Sequence, residues 1–180
     1  TIDSDNLARA LAVNSNSSGV TTFSQAIGGA HALDSLVTNS DGTTRFGGNT
    51  ITAENGVAVN DAVTLDTDTV INAGGAAFGG TLNSGVSQHT LVVNTVNEGV
   101  TSFTGAVGNS SPLASITTNA DGSTQIFAPT IRTNGDQIFH DAVTLGADCA
   151  ITAENITFDR PVDSTALLSA AGLTVNSQNS

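Results

Sequence analysis

The sequence predicts an all-β solenoid (β-helix), a coil of about 20 residues repeated about nine times, and three observations carry that reading. The 180-residue chain matches itself without gaps at a shift of about 80 residues. A finer spacing, in multiples of about 20 residues, lies inside the long one. The apolar residues, mostly Val, Ile, Leu and Ala, come in short runs among Thr, Asn, Ser, Asp and Gly and not at helical spacing, which is the composition of strands with frequent turns.

The long repeat is explicit in the residues. Val20-Thr21-Thr22-Phe23 returns as Val100-Thr101-Ser102-Phe103, and Thr38-Asn39-Ser40-Asp41-Gly42 as Thr118-Asn119-Ala120-Asp121-Gly122. Asp61-Ala62-Val63-Thr64-Leu65 returns unchanged as Asp141-Ala142-Val143-Thr144-Leu145. The chain therefore reads as one solenoid segment, 1–180, with long repeats 1–80 and 81–160 and the start of a third at 161–180. That third start carries a two-residue insertion, because Leu11-Ala12-Val13-Asn14 and Leu91-Val92-Val93-Asn94 are answered late by Leu173-Thr174-Val175-Asn176.

The short period shows in Ile51-Thr52-Ala53-Glu54-Asn55, which is identical to Ile151-Thr152-Ala153-Glu154-Asn155, with Ile71-Asn72-Ala73 in step between them. A unit of about 20 residues is too small to bury a core alone but suits one coil of a β-helix, about three short strands joined by turns and stacked about 4.8 Å from the next coil. Four coils are then expected in each long repeat, with equivalent residues lying over one another. Alternation places Thr21 and Phe23 on one side of their strand and Val20, Thr22 and Ser24 on the other. The expected core is Phe23, Phe78, Phe103 and Phe158, with Leu33 and Leu113, Ile51 and Ile131, Val63 and Val143, Ile71 and Ile151. The Asn-x-Asp-Gly turns at Asn39–Gly42 and Asn119–Gly122 put Gly where a positive φ is wanted. Asn14, Asn94 and Asn176 close their strands at matching points and are candidates for a side-chain amide ladder between coils. Solvent-facing turn residues are the plainer reading.

Composition excludes several classes of function. A net charge of −12, opposed only by Arg9, Arg45, Arg132 and Arg160, is unsuited to phosphate backbones, so no nucleic-acid partner is expected. No apolar stretch approaches the roughly 20 residues of a spanning helix, so no membrane insertion is expected. Cys149 is the single cysteine; it cannot form an internal disulfide and, standing where the first repeat has Thr69, is expected to be a buried or half-buried strand residue. A chain starting at Thr1 without Met or signal peptide reads as a processed product or an excised window.

The chemistry-bearing residues do not form a catalytic pattern. His31, His89 and His140 face Ser111, Arg9 and Asn60 across the repeat and have no ligand partners at metal-site spacing. Asp41 and Asp121, Asp61 and Asp141, and Asp68 and Asp148 recur, and a residue repeated along a solenoid serves coil geometry more readily than one active site. Asp3-Ser4-Asp5 and Asp66-Thr67-Asp68 space oxygen ligands for calcium but match neither an EF-hand nor a calcium-binding roll, so they are read as exposed acids. Thr-x-Thr rows at Thr50/Thr52 and Thr67/Thr69, considered as an ice-binding surface, are broken by Arg132 and Cys149 in the next repeat. No cofactor, metal or enzyme activity is expected.

The segments Thr101–Gly108, Leu113–Asn119 and Asp141–Asp148 resemble the repeats of very large secreted bacterial proteins, the filamentous-haemagglutinin-like and autotransporter-type passengers. The resemblance covers essentially the whole chain and marks an architecture without specifying functional residues. It implies a right-handed parallel β-helix, export from a Gram-negative cell, and adhesive, biofilm or surface-layer roles. The expected function is a structural segment of an extracellular, cell-surface bacterial fibre or adhesin. Its expected partners are further coils, either of a longer chain or of other copies joined end to end, and a host or matrix glycan or protein receptor. The alternative is a secreted module that binds or cleaves polysaccharide, for which the lack of Trp and Tyr removes the usual sugar-stacking platforms.

Overall fold

The computed structural model describes residues 1–165 and 170–178. It is an all-β, parallel β-solenoid of about 8 turns with about 21 residues per turn. This agrees with the expected stack of about nine coils of about 20 residues, although coil length is not constant. Val63 pairs with Leu82, a step of 19 residues, whereas Leu82 pairs with Val107, a step of 25. The longer coils carry extra residues at their bends, such as the segment between Ile27 and Leu33, which partner Ile51 and Ala53 in the next coil.

Each coil contributes to three faces. The first face stacks the first half of Thr50–Val59 on Thr69–Ala73, then Thr90–Thr95, Ser115–Thr118, Gln137–Phe139 and Ile156–Phe158. The second stacks Ala10–Val13, Leu33–Thr38, the second half of Thr50–Val59, Ala76–Phe78, Val100–Phe103, Ser123–Ile126, Ala142–Leu145 and Val162–Ser164. The third runs through Val20–Phe23, Thr43–Phe46, Ala62–Leu65 and Leu82–Ser84, then by single bridges through Val107 to Thr130–Arg132, Cys149–Ala153 and Leu173–Ser177. All these pairings are parallel and, apart from a bulge where Leu33 and Ser35 face Ala53 and Gly56, in register, so the strand backbones of an inner coil find partners one coil above or below.

Alternation along every strand points one set of side chains inward. Eleven of the twelve expected core residues are buried, and Thr21 lies on the inward side with buried Phe23 while Val20 and Thr22 are exposed. Phe158 is only half-buried, because it lies in the last strand of the first face and no further described strand covers it. Phe46 and Phe139, outside the expected set, are fully buried. Each completes a stacked aromatic pair, and with Phe78–Phe103 there is one on each face: Phe23–Phe46 on the third, Phe78–Phe103 on the second and Phe139–Phe158 on the first, with centroids 5.7, 5.4 and 5.3 Å apart.

The relation between the long repeat and the coil differs from expectation. Ile2, Ile27, Ile51, Ile71 and Val93 form one inward column on the first face, while Thr21, Thr44, Val63 and Leu82 form another on the third. Ile2 and its repeat equivalent Leu82 thus stand on different faces. The long repeat spans three and two-thirds coils, not four, and turns every feature to the neighbouring face. Phe23 on the third face accordingly recurs as Phe103 on the second, and Phe78 on the second as Phe158 on the first. Residues that touch through stacking are one coil apart, as Ile51 is over Ile71 and Ile131 over Ile151. Repeat equivalents share an environment and not a contact.

The Asn-x-Asp-Gly turns behave as read. Gly42 and Gly122 both adopt φ of 87°, where an L side chain is strained, and a Cβ on Gly122 would collide with the carbonyl oxygen of Gly99 in the coil below. Truncating a central stacked ring leaves a void flanked by two coils. Phe103→Ala should therefore cost about 3–5 kcal/mol and Phe158→Ala distinctly less, as read by urea unfolding followed by circular dichroism.

Candidate functional site

The carboxylates that recur between the repeats are used by the scaffold. At the corner between the second and third faces, Asp61 is buried, and its two oxygens accept hydrogen bonds from Thr38 Oγ1 at 2.8 Å and Thr44 Oγ1 at 2.9 Å, both in the preceding coil. Asp141 repeats the arrangement one face round, fully buried, with Thr118 Oγ1 at 2.7 Å and Thr124 Oγ1 at 2.8 Å. Each acid thus ties two strands of one coil to the corner of the next. Burial away from water pushes the Asp141 carboxyl up from the ordinary carboxylate range, with the two threonine hydroxyls opposing the shift.

The remaining repeated polar residues are backbone caps. Asp68 Oδ1 accepts the Thr90 N–H at 2.9 Å, and Asp148 Oδ1 accepts that of Gly172 at 2.6 Å. Asp41 and Asp121 accept from the backbone N–H of Ser17 and Glu98 in the coil below. Asp3 and its equivalent Asn83 take the N–H groups of Ala30 and Ser110, and Ser4, Ser84 and Ser164 take those of Arg9, His89 and Ala171. Backbone donation holds Asp3 and Asp68 below the ordinary carboxylate value, while Asp5 is lowered by Arg9 and the Leu7 N–H. The carboxylates read as calcium candidates thereby all accept protein donors, with Asp66 accepting both Nε and Nη2 of Arg45 at 2.9 and 2.6 Å. Among the described residues no group of three or more metal-ligating side chains forms.

The amide ladder takes another form. Asn94 Nδ2 donates to Asn72 Oδ1 at 2.9 Å, a single rung with a residue outside the expected set. Asn14 and Asn176 are exposed and build no ladder with it. The turn residues Asn39 and Asn119 do more: each accepts the N–H of one residue below at Oδ1 and donates Nδ2 to the carbonyl of that same residue, Ser15 and Thr95 respectively, extending the backbone pairing through the bend.

His31 is exposed, His89 lies 3.6 Å from Asp68, and His140 Nδ1 pairs with Asp159 Oδ2. The acidic neighbours of His89 and His140 come from adjacent coils, a proximity that linear spacing did not reveal. No nucleophile or oxyanion donor completes either pair among the described hydrogen bonds. Cys149 is buried, and desolvation pushes its thiol up to about 11, which keeps it protonated and unreactive at neutral pH. Gln137, fully buried on the inward side of the first face, was not anticipated; its amide nitrogen reaches the carbonyls of Ile131 and Thr152 and the hydroxyl of Thr133. Its repeat equivalent is Val57, so neither periodicity nor composition distinguished it.

Comparison of the chain with protein-family models, curated proteins and solved structures gives no match. No helix among the described residues is long and apolar enough to cross a membrane.

Two outcomes are expected at the buried corners. Thr124→Val, which leaves Asp141 one donor short, should destabilise by about 1–3 kcal/mol in urea unfolding. The folded Asp141 carboxyl holds its proton more tightly than the unfolded one, so its contribution is fully present below about pH 4 and is lost as pH rises through the raised folded value. The stability difference between the wild type and Asp141→Asn should therefore shift in favour of the wild type between pH 7 and pH 4, measured by unfolding at each pH.

Proposed function

We propose that this chain is a structural segment of an extracellular bacterial fibre or adhesin, whose work is to span distance. The observation that carries the reading is where the two long repeats agree. Their shared residues are most of the inward positions, the buried Asp61 and Asp141 with their threonines, and the capping and turn residues at the corners. Outward positions agree less consistently: Ala62 and Thr64 return as Ala142 and Thr144, but Thr52 faces Arg132 and Arg45 faces Gln125. What is repeated is thus the means of adding coils, since even the exposed carboxylates that recur, Asp41/Asp121 and Asp68/Asp148, accept backbone N–H groups of adjacent coils.

Rotation between repeats supports the same reading. A repeat that advances three and two-thirds coils turns its outward surface to the next face, so no single face accumulates one repeated pattern. A catalytic or glycan-binding groove running along the fibre needs that accumulation, whereas a stalk does not. The resemblance to secreted passenger repeats supports placing the segment outside a Gram-negative cell.

Each additional long repeat should lengthen the particle at constant width. Inserting one further copy of residues 81–160 is expected to raise the maximum dimension seen by small-angle X-ray scattering by roughly 18 Å, from three and two-thirds coils at about 4.8 Å each. A rise in cross-section in place of length would contradict the stalk reading. Release of reducing sugar from an acidic polysaccharide would favour the enzymatic one.

A further inference from the structure

The outward side of the second face carries a trough of about 390 Å³, at the small end of ligand-site volumes. Gly56, Ala58, Gly75 and Ala77 line its centre, and Val37 and Val100, 40% and 37% exposed, stand at its two ends. Backbone dihedrals do not demand these glycines, although a Cβ on Gly56 or Gly75 would come within 3.3 Å of the carbonyl oxygen of Gly75 or Val100 in the next coil. Gly56 and Gly75 are not among the glycines with positive φ. The equivalent positions in the second repeat, one face round, hold Asp136, Ile138, Asn155 and Thr157, and there the strand that is continuous over Thr50–Val59 is divided into Thr130–Arg132 and Gln137–Phe139. The first repeat leaves open a space that the second repeat fills.

The trough has one acidic edge. Asp34 precedes Ser35 of its lining, Glu54 precedes Asn55, and Glu98 lies two residues before Val100, all at the corner between the first and second faces. Asp34 is held there by Asn55 Nδ2 at 2.6 Å and by the Ser35 hydroxyl. None of the three carboxylates has an ion-pair partner among the described residues, although Asp5 and Asp66 each have an arginine. At the opposite corner the lining strands run on into Thr38-Asn39, Asn60, Gly79-Gly80 and Thr104-Gly105, with Asp61 buried there.

We propose that this trough docks an extended basic peptide segment of a partner protein, with an aliphatic side chain in the floor formed by Gly56, Ala58, Gly75 and Ala77 and flanking Lys or Arg side chains on Asp34, Glu54 and Glu98. Charge decides the occupant. A second copy of this chain, itself at −12, would bring an acidic surface against an acidic edge, whereas a basic segment neutralises it. The inference is independent of the stalk reading, since it concerns one decorated place on the solenoid.

The test uses the 180-residue chain and a fluorescein-labelled Arg-Leu-Arg-Leu-Arg peptide, with binding read by fluorescence anisotropy. The double variant Ala58→Ile, Ala77→Leu fills the floor without changing charge, and circular dichroism checks its fold. At least tenfold weaker binding is expected for the filled variant and for a peptide with Ser in place of Leu. Asp34→Asn with Glu54→Gln should reduce the salt dependence. Amide shifts of the wild-type chain on titration should concentrate at Ser35, Val37, Ala58, Ala77 and Ser102, a readout that needs no variant. Equal binding by the filled chain or the Ser peptide would show charge attraction alone and overturn the proposal. So would shifts centred elsewhere, or a self-associated dimer lost on filling the trough in a chain that ignores the peptide.

Discussion

Parallel, in-register pairing between successive coils is the constraint on which this structure depends. A coil of about 21 residues cannot enclose a core, and its strands leave a row of unpaired N–H and C=O groups on each side. Stacking satisfies both needs at once. Every strand added closes the backbone hydrogen bonds of the one below and lays an inward side chain on an inward side chain. The aromatic pairs on the three faces and the Ile51–Ile71 and Ile131–Ile151 contacts are consequences of that register.

Corners are where the constraint is hardest to meet, because the chain bends there and backbone pairing lapses. The repeated polar residues work at these places. Asn39 and Asn119 substitute a side-chain amide for a missing peptide group, Asp68 and Asp148 accept an orphan N–H from the following coil, and Asp61 and Asp141 fasten two threonines inside the bend. A solenoid built this way uses most of its recurring carboxylates internally. The divergent outward positions are then free to differ between repeats, and the trough near Gly56 and Gly75 is one such difference.

A repeat of three and two-thirds coils distributes its outward surface around the axis. Any feature carried once per repeat points in a new direction each time and returns to the starting face after three repeats. This separates the two levels of periodicity: the coil governs contact, and the long repeat governs what each face displays. Phe23 and Phe103 share a kind of surroundings on different faces, while Phe23 and Phe46 share a contact.

The sequence by itself determined the all-β solenoid, the inward residues and the turn glycines, because alternation, a short period and positive φ at Gly42 and Gly122 are local consequences of residue type. It pointed to Asp61 and Asp141 as repeated without revealing that they are buried between paired threonines. Only the tertiary structure decided the number of coils, the face on which each repeat falls and the neighbours of every polar side chain. Those depend on how many residues the bends add to each coil, whose length is 19 residues in one case and 25 in another, and partners in a stacked fold lie a whole coil apart in the chain. The acidic edge and the trough became visible for the same reason, since strands from separate coils must be laid side by side before their outward residues form a surface.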